Sequence, residues 1–265
     1  MEAFNLLIYP FLTCVLLILI HAYFGIHILE RGIIFVDLSL AQFIGLGIAL
    51  SLLTGHDASG SYLLPVVFAV IGASILSLSR HIVRFVNIEA FIGVLYIFSF
   101  STSILILDRT PHGLEEFKAI LNGNILWVTP AEVFSTFILY SAVGIFHLVF
   151  RKRFFALSYE SKGNGLWEFL FFLSFAVILV KSIHMAGILQ VFSFLVIPAL
   201  IGRLYTKNTL TVLVIGWLIG LFASLFGIAI SYKLDLPTAP LIVASLSFTF
   251  FLLLLTRFLK ELKHR

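Results

Sequence analysis

Three side chains carry chemistry that their apolar surroundings make costly. His27 closes the first apolar run, Asp37 lies just inside the second, and Glu89 opens the fourth. A carboxylate at membrane depth is expensive and ordinarily faces a cavity or a partner. Imidazole with carboxylates suits a borderline divalent ion such as zinc, manganese or iron. If the turn after the first run is tight, His27, Asp37 and Glu89 meet near the inner half of the membrane. They are the candidate metal-pathway residues. Plainer roles stay open: Asp37 capping a helix or pairing with Arg31, and His27 as a hydrogen-bonded core residue. His21 is a further histidine of this kind, and His147 is flanked by apolar residues with no evident partner.

Small residues accompany the acid. Four-residue spacing places Asp37, Ala41, Gly45 and Ala49 along one side of a helix, where a second backbone can approach closely. Gly216, Gly220 and Ser224 form another such stripe. Its simplest meaning is helix–helix contact, within a subunit or across a dimer. Gln42 falls on a different face, as packing glue. His56, Asp57, Asp108, His112, Glu115 and Glu116 lie between apolar runs. They attract cations by their local field or are ordinary solvated loop residues. His184 occupies an equally ambiguous place.

Catalytic apparatus is missing from the sequence. It contains no Gly-x-x-x-x-Gly-Lys-Ser/Thr loop, no His-Glu-x-x-His pair and no Gly-x-Ser-x-Gly elbow. One cysteine, Cys14, builds neither a disulfide framework nor a thiolate cluster. The expectation is a chain that is not an enzyme and holds no cofactor of its own.

The elements that position these residues follow from composition. Of 265 residues, 17 are Lys or Arg and 13 are Asp or Glu, so 11% are charged, against about 25% in a soluble domain. Hydrophobic residues make up 61% and the mean hydropathy is +1.13. A soluble monomer cannot hide that much apolar surface, which excludes a soluble enzyme and a nucleic-acid-binding module. The runs are apolar on every face, unlike the alternating strands of a membrane barrel. Most of the 29 phenylalanines are lipid-facing or core bulk. The start, Met1-Glu2-Ala3-Phe4-Asn5, lacks a basic leader, so the first run reads as a retained span.

The chain therefore reads as an all-α polytopic bundle, a single transmembrane domain over 1–265. Nine runs reach the length of a span, roughly 20 residues: about 6–28, 33–54, 62–79, 90–107, 131–150, 166–180, 185–204, 209–231 and 238–256. Only Lys181-Ser182-Ile183-His184 separates the sixth from the seventh. Eight spans result if those two form one broken helix. With nine spans and the N-terminus outside, one side holds Arg31, Arg80, Arg84, Arg151, Lys152, Arg153, Lys162, Arg203, Lys207, Arg257, Lys260, Lys263 and Arg265. Only Arg109, Lys118, Lys181 and Lys233 fall on the other. Basic residues favour the cytoplasmic side, so the expectation is N-terminus outside and C-terminus inside. The outer loop at about 108–130 includes Leu114–Leu121, which reads as a short interfacial helix ended by Asn122-Gly123.

Read in order, several segments resemble the membrane permease family of bacterial ABC importers for zinc, manganese and iron. They are Arg31-Gly32-Ile33-Ile34-Phe35-Val36-Asp37-Leu38-Ser39-Leu40-Ala41-Gln42, Asn87-Ile88-Glu89-Ala90-Phe91-Ile92-Gly93, and Leu121-Asn122-Gly123-Asn124-Ile125-Leu126-Trp127-Val128. Next come Ala186-Gly187-Ile188-Leu189-Gln190-Val191-Phe192-Ser193-Phe194-Leu195-Val196-Ile197-Pro198-Ala199 and Leu234-Asp235-Leu236-Pro237-Thr238-Ala239-Pro240. The resemblance implies a homodimer in a bacterial cytoplasmic membrane, with ATP hydrolysed on separate cytoplasmic subunits. An extracytoplasmic metal-binding protein would deliver the divalent metal as substrate. It implies that Leu157, Ser158, Tyr159 and Glu160, in the loop 157–162, meet the ATPase, and it favours Asp37 as a pathway residue. Many members carry Asp-x-x-x-His in the second span; here the His position is Ala41. A permease for a metal chelate such as a siderophore or cobalamin, an ion-coupled secondary transporter, and a non-transporting scaffold remain as rival readings.

Overall fold

The computed structural model describes residues 2–55, 62–82, 84–160 and 164–263. Its elements, among the described residues, are helices: α1 (Glu2–Arg31), α2 (Val36–Leu53), α3 (Leu63–Ile82), α4 (Ile88–Leu107) and α5 (Gly113–Asn122). A 3-10 turn over Ile125–Trp127 follows, then α6 (Pro130–Val149), α7 (Arg151–Tyr159), α8 (Gly165–Tyr205), α9 (Thr209–Leu234) and α10 (Thr238–Lys263). Seven helices are long and apolar enough to cross a membrane, and α3 adds a shorter apolar stretch, Leu63–Leu78.

Local chemistry sets the boundaries. Asn87, Asn164 and Asn208 each accept from the backbone N–H three residues on, at 3.1 Å, and so start α4, α8 and α9. Thr129 and Glu132 close a reciprocal capping box with Pro130 at the first helical position of α6. Gly32, at φ 64°, stops α1 and makes the tight turn into α2.

The 41 residues of α8 are one helix by hydrogen bonding, yet not one rod. A straight helix of that length would hold residues 168 and 203 about 50 Å apart. Instead Glu168 pairs with Arg31, and Arg203 pairs with the adjacent Glu30. Both ends of α8 thus lie at the C-terminal end of α1. The reversal is at Gly187, whose φ of 73° and ψ of 165° interrupt the helix. Contacts along α1 follow both arms: Phe175 stacks on Phe24 from the first, and the Gln190 side chain donates to Cys14 Sγ from the second. The sixth and seventh apolar runs are therefore two antiparallel arms, 165–186 and 188–205, at the centre of the bundle.

Close packing makes this possible. A β-carbon on Gly187 would fall 2.6 Å from Leu121 O, and one on Gly123 would fall 2.7 Å from Ala186 O. The Asn124 N–H donates to Met185 O at 3.1 Å. The bend and the loop after α5 are backbone against backbone. On α9, a β-carbon on Gly216 would meet Pro198 O at 2.9 Å and one on Gly220 would meet Ile18 Cγ2 at 3.0 Å. That stripe therefore packs within the subunit, against α8 and α1. Ala41 and Ala49 are buried on α2. The close backbone approach on that helix falls at Gly47, where a β-carbon would lie 2.7 Å from Leu64 O, and not at Gly45, where one would have its nearest neighbours 3.9 Å away. Four-residue spacing identified a small-residue face, but α3 crosses α2 one half-turn further along.

Candidate functional site

One end of the bundle gathers the C-terminus of α1, the starts of α2, α4 and α9, both ends of α8, and α7. Within it, Asp37 occupies the first turn of α2 and is 1% exposed. A helix N-terminus favours a negative charge there. Even so, Asp37 Oδ1 has no hydrogen-bond partner among the described residues, and the buried Ser39 hydroxyl has none either. Buried polar atoms are ordinarily satisfied, so the Asp37 oxygen is able to take a further partner, while Ser39, two residues on, faces another side of the helix. Arg31 does not serve Asp37 as its ion-pair partner; it pairs with Glu168 and lies over the Phe171 and Phe172 rings.

Glu89 and His27 are engaged elsewhere. Glu89 Oε1 accepts from the Ile34 N–H at 2.7 Å, so the carboxylate fastens the turn between α1 and α2 to the start of α4. His27 Nδ1 bonds Ser158 Oγ at 2.8 Å, between the Tyr23 and Phe155 rings. The expected meeting of His27, Asp37 and Glu89 does not occur: no group of three potential metal ligands exists among the described residues. The tight turn at Gly32 is present, but the backbone N–H at residue 34 takes up Glu89, and α1 turns His27 towards α7.

The other histidines are also placed. His147, expected to lack a partner, has two: Tyr23 Oη at 3.0 Å on Nδ1 and Ser174 Oγ at 2.8 Å on Nε2. The distance along the chain, 124 residues to Tyr23, hid that pairing. His21 Nδ1 bonds Leu17 O at 2.8 Å, while its Nε2 is buried without a partner. At the opposite end, His112 pairs with Glu115 at 2.7 Å, both largely exposed, and His184 lies 3.8 Å from Glu132. Residues 56 and 57 lie outside the described residues.

The segment singled out for coupling folds as α7, with Glu160 as its C-cap. Leu157 and Ser158 are buried and Glu160 is exposed. Hydrogen bonds at Ser158 and Tyr159 hold α7 to the rest of the bundle. One is Ser158 to His27. Another comes from Arg203, which pairs with Glu30 and also donates to Tyr159 Oη at 3.3 Å. Tyr159 Oη is within 3.4 Å of Thr209 Oγ1 as well. Arg203 was visible beforehand only as a basic residue at the end of an apolar run.

Comparison with known proteins agrees with this architecture. The model of the ABC 3 transport family matches residues 3–257. A Chlamydia pneumoniae protein named "Probable metal transport system membrane protein" is 28% identical, over 82% of this chain and 78% of its own length. The Yersinia pestis chelated iron transport system membrane protein YfeC is 26% identical, over 83% of this chain and 82% of its own. Among solved structures, PsaBC from Streptococcus pneumoniae, in complex with a Fab, superposes with a TM-score of 0.77 at 20% identity, covering 95% of this chain and 92% of that one. The chain belongs to the ABC 3 transport family.

Proposed function

We propose that the chain is the membrane-spanning permease of an ATP-driven importer for a divalent metal such as zinc, manganese or iron. The family match over nearly the whole length carries this reading, and metal-transport names among relatives support the substrate class. Two copies would enclose the route, separate ATPase subunits would drive it, and an external binding protein would deliver the ion. Counting the arms of α8 separately and adding α3 to the seven apolar helices gives nine crossings. The basic residues then cluster at the end that holds α7, which supports a C-terminus inside.

Asp37 is the residue through which the ion would pass, because it is the buried carboxylate with an unpartnered oxygen. ATPase closure would press on α7. The Ser158–His27 and Tyr159–Arg203 ties would pass that motion to α1 and the second arm of α8, the alternating element. His27 and Glu89 act in this reading as positioning residues. The test is uptake of radiolabelled zinc, manganese and iron by cells expressing the chain with its genomic neighbours. Uptake of one metal, reduced tenfold or more by Asp37→Asn, is the expected result; no metal uptake removes the reading.

A chelated substrate is the second reading. It is favoured by Asp37 belonging to no group of three potential metal ligands among the described residues, and by the relative named for chelated iron. Uptake of a ferric chelate that survives Asp37→Asn unchanged would select it.

A further inference from the structure

A groove of about 770 Å³ opens on the side of the bundle between α1, α6 and α9, with the start of α7 at one end. Along α1 it runs from Leu16 to His27, which is about 16 Å of helix. One leaflet of a bilayer has a hydrocarbon depth of about 15 Å. The volume lies within the usual range for organic-ligand sites, about 300–1,000 Å³.

The groove's chemistry is divided by position. Four of its polar aromatic and imidazole lining groups are already engaged within the protein. Tyr23 bonds His147, His27 bonds Ser158, Tyr140 Oη is 2.5 Å from Ser182 Oγ, and the Trp217 indole donates to Leu19 O at 3.2 Å. Such walls ask for an apolar occupant. Among the described residues, the charged lining residues are Arg151 and Lys152, both at the α7 end, and no carboxylate lines the groove. Thr209, the first residue of α9, is at the same end, where the helix dipole is positive. Arg153, next in sequence, faces away and lies over the Trp167 ring.

We propose that this groove binds an anionic phospholipid, with one acyl chain along α1 and the phosphate held by Arg151 and Lys152. The lipid belongs to the leaflet at the basic end of the bundle. It would lie against His27 and Phe155, next to the contact that ties α7 to α1, so its occupancy would steady the helix proposed to receive the ATPase. The binding itself does not depend on which substrate is transported.

The test is native mass spectrometry of the purified full-length chain titrated with phosphatidylglycerol or phosphatidylcholine. Phosphatidylglycerol binds more tightly, and the Arg151→Gln/Lys152→Gln double variant weakens it about 30-fold, from the roughly fivefold worth of each basic residue near a lipid phosphate. Gly144 lines the groove and a β-carbon there has open space around it, so Gly144→Leu narrows the groove and weakens both lipids. Equal binding of the two lipids, unchanged in both variants, means an unspecific lipid ring and overturns the proposal. So does a Gly144→Cys chain that crosslinks to a second copy in native membranes, because a protein helix then fills the groove.

Discussion

Replacing Gly187 by alanine tests the hairpin on which the arrangement of the bundle depends. The residue's φ of 73° and ψ of 165° lie in a region open essentially to glycine alone, where a β-carbon costs about 1–3 kcal/mol. The added carbon would also fall 2.6 Å from Leu121 O and inside contact distance of Gly123 N and Asn122 C. These are backbone atoms, so no rotamer change relieves them. The bend has to open or the loop after α5 has to withdraw, breaking the Asn124–Met185 hydrogen bond, worth about 1 kcal/mol. The combined loss is about 3 kcal/mol or more. Gly123→Ala strikes the same contact from the other side, so the two substitutions together cost less than their sum, as expected for neighbours. Gly93, with open space at its β-carbon position and no positive φ, is the control; Gly93→Ala leaves stability unchanged or slightly raised. Thermal and denaturant unfolding of the detergent-solubilised chain reads all four. A Gly187→Ala protein within about 0.5 kcal/mol of wild type, the range of an ordinary surface change, would refute the hairpin as described.

Other ties make separate predictions. Glu168→Gln leaves the Arg31 guanidinium partly buried without its carboxylate and lowers unfolding stability by about 3 kcal/mol; a loss below about 0.5 kcal/mol contradicts the pairing. Ser158→Ala removes the hydroxyl on His27, at about 1–3 kcal/mol for the unsatisfied nitrogen. In reconstituted vesicles it lowers transport per ATP hydrolysed more than it lowers ATP hydrolysis, and a proportional fall in both contradicts a coupling role. Glu89→Ala frees the Ile34 N–H and speeds amide exchange at the α1–α2 turn, with little change expected at α9.

The fold was largely legible because bilayer physics is one-dimensional. Apolar length identified the runs that fold as apolar helices, and the four residues 181–184 left open whether the sixth and seventh runs were one helix or two. The pairs Arg31–Glu168 and Glu30–Arg203 resolve that together with the Gly187 bend, and both bridge residues more than 130 positions apart. Sequence order also carried Asp37, since a buried acid is visible in any apolar run. Its isolation from His27 and Glu89 was not legible. Helical spacing fixes which face a residue occupies, but the rotation of α1 about its axis is set by the aromatic packing of Phe24, Phe171 and Phe175. Likewise Gly45 looked like the close-packing position and Gly47 is, because the crossing point is fixed by where α3 begins. His147 found its partners through tertiary contacts that no local pattern encodes.

The most direct test of the central claim is metal uptake into proteoliposomes holding this chain with its ATPase subunits and binding protein. The account predicts uptake of one divalent metal that requires both ATP and the ATPase, and that falls sharply in the Asp37→Asn chain. Equal uptake without any ATPase subunit, driven by an imposed proton or sodium gradient, would contradict it.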